Sequence, residues 1–246
     1  MKAIKVIGIG LFLSCLAACT SESTSNNTNT ITIEKEGKAV EVQLVDKVEY
    51  NEDSTFKMSY QVEANTDVKY GVYKEYDVPT STLLSERNYK NNKLDGIEKI
   101  YFSNGQVDGE LNYKNGVHEG IFKYYYEDGT LKQEGVYVKG TIEGILKSYY
   151  PTGVLKEEVF HEKGLTQGAF KEYNENGTIK AEGEYTSKHG REDLEHGLFK
   201  DYDKNGKLLR KMRCKEGQCC TTWTLEAGDI KPTTKLCAAI LESEAS

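Results

Sequence analysis

The sequence lacks the motifs that mark the common enzyme sites. It contains no G-x-S-x-G, H-E-x-x-H or G-x-x-x-x-G-K-[ST] pattern, so nothing indicates a serine hydrolase, a zinc protease or a P-loop nucleotide site. Its net charge of −7 argues against nucleic acid as a natural partner. We therefore expect a non-enzymatic protein with no cofactor and no resident metal.

Histidine is also scarce, with four residues: His118, His161, His189 and His196. Two of them, His189 and His196, share an acidic segment with Glu192, Asp193 and Glu195, which could hold a metal ion. The spacing matches no standard ligand set, so a solvated loop is the favoured interpretation. His161 replaces a tyrosine of the repeat described below, and we expect it to serve packing.

Long apolar runs are missing except at the amino terminus. Val6–Leu16 follows two lysines and is too short to span a bilayer, which is typical of a signal peptide over residues 1–18. The run ends in Leu-Ala-Ala-Cys19, which resembles a bacterial lipobox and implies cleavage before Cys19 and a lipid on its sulfur. The alternative is an ordinary signal peptide with an incidental cysteine.

The segment after this cysteine is polar. Residues 19–30, rich in Ser, Thr and Asn, carry too little apolar surface to fold and predict a tether that holds the folded part off the membrane. We expect the chain in the cell envelope, anchored to the membrane by lipid on Cys19. The Thr20 that follows resembles an outer-membrane sorting signal if the cell has two membranes.

One pattern recurs along residues 71–213, at intervals of about 24 residues, and indicates six tandem copies. Each copy has a marker glycine, then a lysine three residues later and a tyrosine five residues later. The marker glycines are Gly71, Gly96, Gly120, Gly144, Gly168 and Gly197. The lysines are Lys74, Lys99, Lys123, Lys147, Lys171 and Lys200. The tyrosines are Tyr76, Tyr101, Tyr125, Tyr149, Tyr173 and Tyr202.

Each copy predicts a β-hairpin. In one of them, the runs Ile121–Tyr126 and Thr130–Val138 flank a three-residue turn that ends in Gly129. Glycine adopts the left-handed conformation that such a turn needs without a steric penalty. This loop length places Tyr125 opposite Leu131. The equivalent pairs in two further copies are Tyr149 with Leu155 and Tyr173 with Ile179.

The predicted fold class is all-β. We expect an elongated antiparallel β-meander of tandem hairpins, with about twelve strands in the repeats. The chain's twenty-three glycines interrupt helical patterns. Residues 31–70 alternate polar and apolar side chains without the repeat's glycines, and they predict about three strands that cap the amino-terminal edge.

The sixth copy and the tail depart from the pattern. Five extra residues within 186–196 predict an enlarged surface loop, and the second strand, Lys207–Arg213, is basic. The tail, 214–246, holds the only tryptophan, Trp223, and four cysteines without paired C-x-x-C spacing, which disfavours zinc and favours disulfides. Two pairings remain open: Cys214–Cys219 with Cys220–Cys237, or Cys214–Cys220 with Cys219–Cys237. Either would hold the tail over the last sheet edge.

The repeat pattern, G-x-x-K-x-Y-x-x-x-G-x-L-x-x-E-x-x-Y-x-x-G, resembles the MORN-repeat variant. Bacterial chains built from it are often labelled YwqK-type antitoxins. The resemblance covers about residues 71–214 and implies a role in interaction rather than a defined chemistry. An antitoxin against a cytoplasmic toxin would not be exported, so an immunity or scaffold role in the envelope fits better.

The lysine and tyrosine columns each allow two interpretations. Lysines in register could form a cationic stripe that binds anionic lipid or glycan. The favoured interpretation is that their stems pack beside the tyrosines and their ammonium groups meet carboxylates or water. The tyrosines could stack on sugar rings, but in a thin sheet we expect them to form the core.

Two functions of different classes follow. The first hypothesis is a lipid-anchored envelope protein whose repeat sheet is a platform for a protein partner. The alternative is a cell-wall or glycan-binding module, since the repeats bear a looser likeness to choline- and cell-wall-binding repeats. Those repeats are rich in tryptophan, whereas Trp223 lies outside the repeats here. An envelope enzyme is a third class, for which the sequence shows no constellation.

Overall fold

The computed structural model describes residues 29–35, 37–188 and 191–242, and at 188 and 191–193 it describes the backbone alone. The predicted signal peptide, Cys19 and the tether as far as residue 28 lie outside the described residues. The described chain divides into two compact units. Unit 1 comprises the described residues up to 106, together with 113–116. Unit 2 comprises 107–112 and the described residues from 117 onward.

Unit 1 is an antiparallel meander of β-strands. In chain order they are β1 (Asn29–Lys35), β2 (Lys38–Tyr50), β3 (Phe56–Glu63), β4 (Lys69–Asp77), β5 (Thr82–Lys90), β6 (Lys93–Leu94) and β7 (Gly96–Tyr101). Each of β1 to β4 pairs with the next strand, and β5 pairs with both β6 and β7. The three strands predicted before the repeats are therefore present as β1, β2 and β3.

Unit 2 continues the hairpin pattern. Its strands are β8 (Val107–Lys114, whose last two residues belong to unit 1), β9 (Val117–His118), β10 (Gly120–Tyr125), β11 (Leu131–Val138), β12 (Thr141–Ile142), β13 (Gly144–Tyr149), β14 (Leu155–Glu162), β15 (Leu165–Tyr173), β16 (Ile179–Lys188), β17 (Arg191–Tyr202), β18 (Leu208–Lys215), β19 (Gln218–Thr224) and β20 (Gly228–Asp229). One helix follows, α1 (Lys235–Glu242). The predicted all-β hairpin meander is confirmed, and α1 is an addition that the sequence patterns did not indicate.

The predicted strand register is confirmed. Tyr125 lies opposite Leu131, Tyr149 opposite Leu155 and Tyr173 opposite Ile179. In the turn between β10 and β11, the Tyr126 and Gly129 amides donate to the carbonyls of Thr130 and Tyr126, at 2.8 and 2.9 Å. Gly129 has a φ of +85°, the left-handed conformation that this turn requires.

The marker glycines recur for a backbone reason as well. Gly144, which begins β13, has a φ of +81°, and open space surrounds the position where a Cβ would lie. The constraint here is therefore the backbone conformation and not a steric contact. The other marker glycines also have positive φ: Gly71, Gly96, Gly120, Gly168 and Gly197.

One face of unit 2 is covered by aromatic rings that lie over glycines. Phe122 is 2% exposed, and its ring lies above Gly135 on the paired strand. Phe170 repeats this arrangement above Gly183. In the hairpin between them, Leu146 stands in place of the phenylalanine and Val159 in place of the glycine. The two side chains of each pair thus divide the available space between them, which gives a thin sheet a packed core.

Unit 1 has its own apolar clusters. Ile33, Val42 and Leu44 pack with Tyr70. A second cluster contains Met58, Tyr60 and Val62, with Tyr73 packed against it. The strands before the repeats therefore bury side chains against the first repeat hairpin, β4–β5, because Tyr70 and Tyr73 both belong to β4.

The prediction of an enlarged loop over 186–196 is wrong. Strand β16 continues to Lys188 and β17 begins at Arg191, so the extra residues lengthen a hairpin. Thr186 pairs with Leu194, and the ladder extends to Lys188 and Arg191. Continued strand pairing satisfies backbone amides and carbonyls that a loop would leave to water, which explains the difference.

The tail is joined by the first of the two disulfide pairings that the sequence left open. Cys214 and Cys219 face each other on β18 and β19 and are bonded. The second bond joins Cys220 of β19 to Cys237 of α1. Ile240 of the same helix is buried. The tail therefore packs on the last strands of unit 2.

We predict that Gly135→Ala destabilises the protein by about 1–3 kcal/mol. A Cβ at this position would lie 2.8 Å from the Phe122 ring, so the ring must move. Adding Phe122→Leu should recover part of the loss, because at the equivalent positions Leu146 and Val159 the chain already pairs a leucine with a residue larger than glycine. Denaturant unfolding of the two single variants and the double variant measures this. Strictly additive losses would contradict the ring-over-glycine account.

Candidate interaction face

The predicted lysine column is half of a ladder of alternating charges. Lys123 on β10 lies between Glu110 on β8 and Glu134 on β11, directly opposite each in the strand register. Opposite charges in such positions attract across the strands. In unit 2 the ladder contains Glu110, Lys123, Glu134, Lys147, Glu158, Lys171, Glu182 and Lys200. In unit 1 it contains Lys74, Glu86 and Lys99.

Several lysines of the ladder form ion pairs with the glutamates beside them. The distances from Nζ to the carboxylate are 2.6 Å for Lys74 with Glu86, 2.8 Å for Lys200 with Glu182, and 3.5 Å for Lys147 with Glu158. The column therefore does not present a stripe of one charge. Its geometry accords with the interpretation in which the ammonium groups meet carboxylates.

The marker tyrosines join each hairpin to the one before it. Tyr149 on β13 donates its hydroxyl hydrogen to Glu134 on β11, at 2.8 Å, and four other tyrosines make the same bond. These bonds run from Tyr101 to Glu86 at 2.8 Å, Tyr125 to Glu110 at 3.2 Å, Tyr173 to Glu158 at 3.0 Å and Tyr202 to Glu182 at 2.8 Å. A glutamate of the ladder thus meets lysines on either side and a hydroxyl from the next hairpin.

These contacts shift the pKa values of both partners. The pKa of Glu182 is lowered by its bond to Lys200 and then by its bond to Tyr202. Lys74 and then Tyr101 lower the pKa of Glu86 in the same way. Burial, followed by the neighbouring carboxylate, raises the pKa of Tyr202 to about 12. The ionised glutamate and the neutral tyrosine are therefore the forms that the folded chain stabilises.

The alternation of charges ends in the sixth copy, where a lysine occupies the position of the glutamate. Lys200 has Glu182 on one side, but on the other side it faces Lys211 of the basic strand β18. The Lys211 ammonium lies 5.4 Å from the ring of Trp223, the only tryptophan in the chain. The indole face attracts the cation that has no carboxylate opposite it in the ladder.

A row of exposed apolar residues runs beside the charges on the same face of unit 2. Ile121 and Ile145 lie two residues before ladder lysines, and Val136 and Phe160 lie two residues after ladder glutamates, so all four share the ladder's face. Ile121 is 56% exposed and Ile145 is 53% exposed. We call the ladder of unit 2 together with these four residues the ladder face.

The ladder face contains an open depression of about 350 Å³. Its apolar walls are Ile145, Phe160 and Ala169, and the ladder residues Glu158 and Lys171 border it. A side chain from another molecule could enter this depression and meet apolar walls beside a charged pair. In protein interfaces, the side chains that contribute most to binding fill pockets between the partners.

Unit 1 holds a different cluster, in which a lysine is surrounded by tyrosines. The Lys69 ammonium lies 4.7, 5.1 and 5.6 Å from the ring centres of Tyr60, Tyr73 and Tyr89. Burial raises the pKa of Tyr73 to about 12. Three rings that could stack on a sugar are thus already in contact with a cation of the chain itself.

The structure describes only part of the histidine and acidic set that was considered for a metal ion. His161 is buried and its Nδ1 lies 3.2 Å from the Val159 carbonyl, which is a packing role. His196 lies on β17 opposite Glu184, whereas His189 falls outside the described residues. The side chains of Glu192 and Asp193 also lie outside the described part of the chain. Among the side chains that the structure does describe, no three of His, Cys, Asp or Glu are arranged to hold a metal ion.

The sequence model of a known repeat family matches five of the hairpins described above. The MORN repeat variant matches five segments: residues 94–115, 119–139, 142–163, 166–186 and 195–213. The chain carries repeats of the MORN-variant family. The matched segments cover the second to the sixth of the six copies identified from the sequence. The first copy lies outside the match, although its hairpin has the same register, with Tyr76 opposite Leu83.

No curated protein matches the chain. Across the part of the chain that the structure describes, no helix is both long enough and apolar enough to cross a membrane.

Sequence reasoning missed two features of this region. The exposed apolar row was not singled out, although an aliphatic residue follows the marker glycine in Ile97, Ile121 and Ile145. The ring-over-glycine core was also missed. Two sequence positions mark this core. One is a phenylalanine two residues after a marker glycine, such as Phe122, and the other is the glycine directly after a ladder glutamate, such as Gly135, which pairs with it.

We predict that the stability of the protein falls at both extremes of pH. The contribution from Glu182 is complete above its unfolded pKa of 4.5 and is lost as the pH falls through the lowered folded value. The contribution from Tyr202 is complete below its unfolded pKa of 10.0 and is lost as the pH rises towards about 12. Thermal unfolding across the pH range measures both losses.

Two variants separate these contributions. Glu182→Gln should reduce the loss of stability on the acid side of the profile, and Tyr202→Phe should reduce the loss on the alkaline side, because each removes one titrating partner of the same hydrogen bond. Other shifted groups, such as Glu86 and Tyr73, keep part of each loss. A profile that both variants leave unchanged would contradict the assignment.

Proposed function

We propose that this chain is a non-enzymatic, lipid-anchored protein of the cell envelope. Its MORN-variant repeats act as a platform for a protein partner, in an immunity-like or scaffold role. The repeats themselves fit a protein-interaction or scaffold role. Anchoring by lipid on Cys19 rests on the lipobox-like sequence.

The observation that carries the platform proposal is the exposed apolar row on the ladder face. Large aliphatic side chains that are more than half exposed, such as Ile121 and Ile145, recur at the same position of successive hairpins. Contiguous exposed apolar residues mark interaction sites, and here polar and charged residues border them. A rigid sheet presents such a row without an ordering cost on binding.

Glycan binding has less support. The tyrosines that could stack on sugar rings are engaged within the chain: the marker tyrosines bond to glutamates, and Tyr60, Tyr73 and Tyr89 contact Lys69. Retention of the chain on purified peptidoglycan without a protein partner would favour that alternative.

Photo-crosslinking in intact cells tests the platform. A photoreactive amino acid is placed in the full chain at Ile121, Ile145 or Phe160, and in a control at the exposed turn residue Thr152. We expect defined protein adducts from the three ladder-face positions and none of the same mass from the control. Mass spectrometry identifies the adducts. Equal labelling from all four positions, or none from the ladder face, would contradict the platform.

The same cells test the anchor. Cys19→Ser should move the chain out of the membrane fraction, because it removes the sulfur that would carry the lipid. The ladder-face adducts should weaken with it if the partner is also held at the membrane. Unchanged fractionation of the Cys19→Ser variant would contradict lipid anchoring while leaving the platform open to its own test.

A further inference from the structure

The centre of the ladder face is self-complementary in charge. Four strands that pair in the order β11, β13, β14 and β15 carry Glu134, Lys147, Glu158 and Lys171 in register. The sequence of charges is therefore minus, plus, minus, plus, with no net charge. A strongly charged partner of either sign would meet as much repulsion as attraction on this surface. The best match is a surface with the same alternation, shifted by one strand.

A two-fold axis supplies that shift. Two copies can meet face to face about a two-fold axis that runs parallel to the strands, between β13 and β14. Strand β13 of one copy then lies over β14 of the other, and β11 lies over β15. Lys147 then faces Glu158 of the other copy, and Glu134 faces its Lys171. Each of the four central charges thereby meets an opposite charge. Closed two-fold contacts of this kind are the commonest form of self-association.

The charges of the central pair have capacity for a second contact. The Lys147 ammonium lies 3.5 Å from Glu158 within the chain, and the two side chains are 38% and 26% exposed. An ammonium has three donors, so a contact at this distance leaves donors for another carboxylate. The intramolecular ladder would hold both groups in position before the second copy arrives.

The apolar row follows the same symmetry. The axis that pairs the charges places Ile145 of one copy over Phe160 of the other, and Val136 over Ala169. The depression of about 350 Å³ beside Ile145 and Phe160 lies at this centre, where it would receive a side chain of the second copy. Apolar contact and charge pairing are thus satisfied by a single axis.

We infer that a second copy of this chain binds the ladder face about this two-fold axis. The inference rests on the proposed platform function and names the partner for that surface. Contact across the six strands from β10 to β16, without the short β12, covers roughly 600 Å² per copy at the usual strand spacing and length. That is the size of a weak, reversible interface, so the association must be measured before the cells are disrupted.

The test uses charge reversal in the full chain. Two copies with different carboxy-terminal tags are expressed in the same cells, a photoreactive residue replaces Phe160, and the adduct that contains both tags is quantified. Lys147→Glu alone places carboxylate against carboxylate across the axis, and Glu158→Lys alone places ammonium against ammonium. We expect each single variant to lower the two-tag adduct by about tenfold or more.

Restoration decides between this geometry and a general loss of folding. When one tag carries Lys147→Glu and the other carries Glu158→Lys, each reversed charge faces an opposite one, and the adduct should return to near the wild-type level. The control Lys74→Glu disrupts the equivalent ion pair of unit 1 and should leave the adduct unchanged. An adduct that the single variants do not reduce, or that the mixed pair does not restore, overturns the inference.

The outcomes separate this inference from the platform. If Phe160 captures a different protein and no second copy, self-association is overturned and the platform stands. If the ladder face captures neither, both proposals fail.

Discussion

The repeat sheet depends on one carboxylate in each of the first five hairpins. A ladder glutamate, such as Glu134, lies between lysines on the neighbouring strands and accepts a hydrogen bond from the tyrosine of the next hairpin, Tyr149. The single group thus satisfies charge across the strands and joins consecutive copies. Both the lysine and the tyrosine can reach the glutamate only from a directly neighbouring strand. The three residue types must therefore recur in the sequence at the same interval as the hairpins recur in the sheet. This constraint explains why lysine, glutamate and tyrosine recur together.

The same constraint shapes the ladder face. Neutral pairing removes the net charge that a lysine column would otherwise carry, so the ladder face is suited to neither nucleic acid nor a uniformly anionic surface. The neighbouring apolar row is free of that requirement and can meet a partner. The opposite face is occupied by rings over glycines, as at Phe122 and Gly135, and supplies the packed core.

Much of the fold follows from local rules that a sequence displays. The turn glycine at Gly129 sets the loop length, and the loop length sets the register of Tyr125 with Leu131, so hairpins and pairing were predictable. The sequence predicted that the lysine ammonium groups meet carboxylates or water, but not which carboxylates. The disulfide connectivity could not be chosen in advance, because adjacent Cys219 and Cys220 allow two pairings with similar spacing. The lengthened β16–β17 hairpin was missed because polar residues around Arg191 look like a loop and gain their pairing from tertiary context.

The most direct test of the central claim is a double-mutant cycle between Tyr149 and Glu134. Denaturant unfolding of Tyr149→Phe, Glu134→Ala and the double variant gives the coupling free energy of the bond that joins two hairpins, because alanine removes the acceptor. The account predicts a favourable coupling of about 1 kcal/mol, as expected for a partly buried bond to a charged acceptor. Losses that add to within about 0.3 kcal/mol would show that the two groups act independently, and would contradict the account.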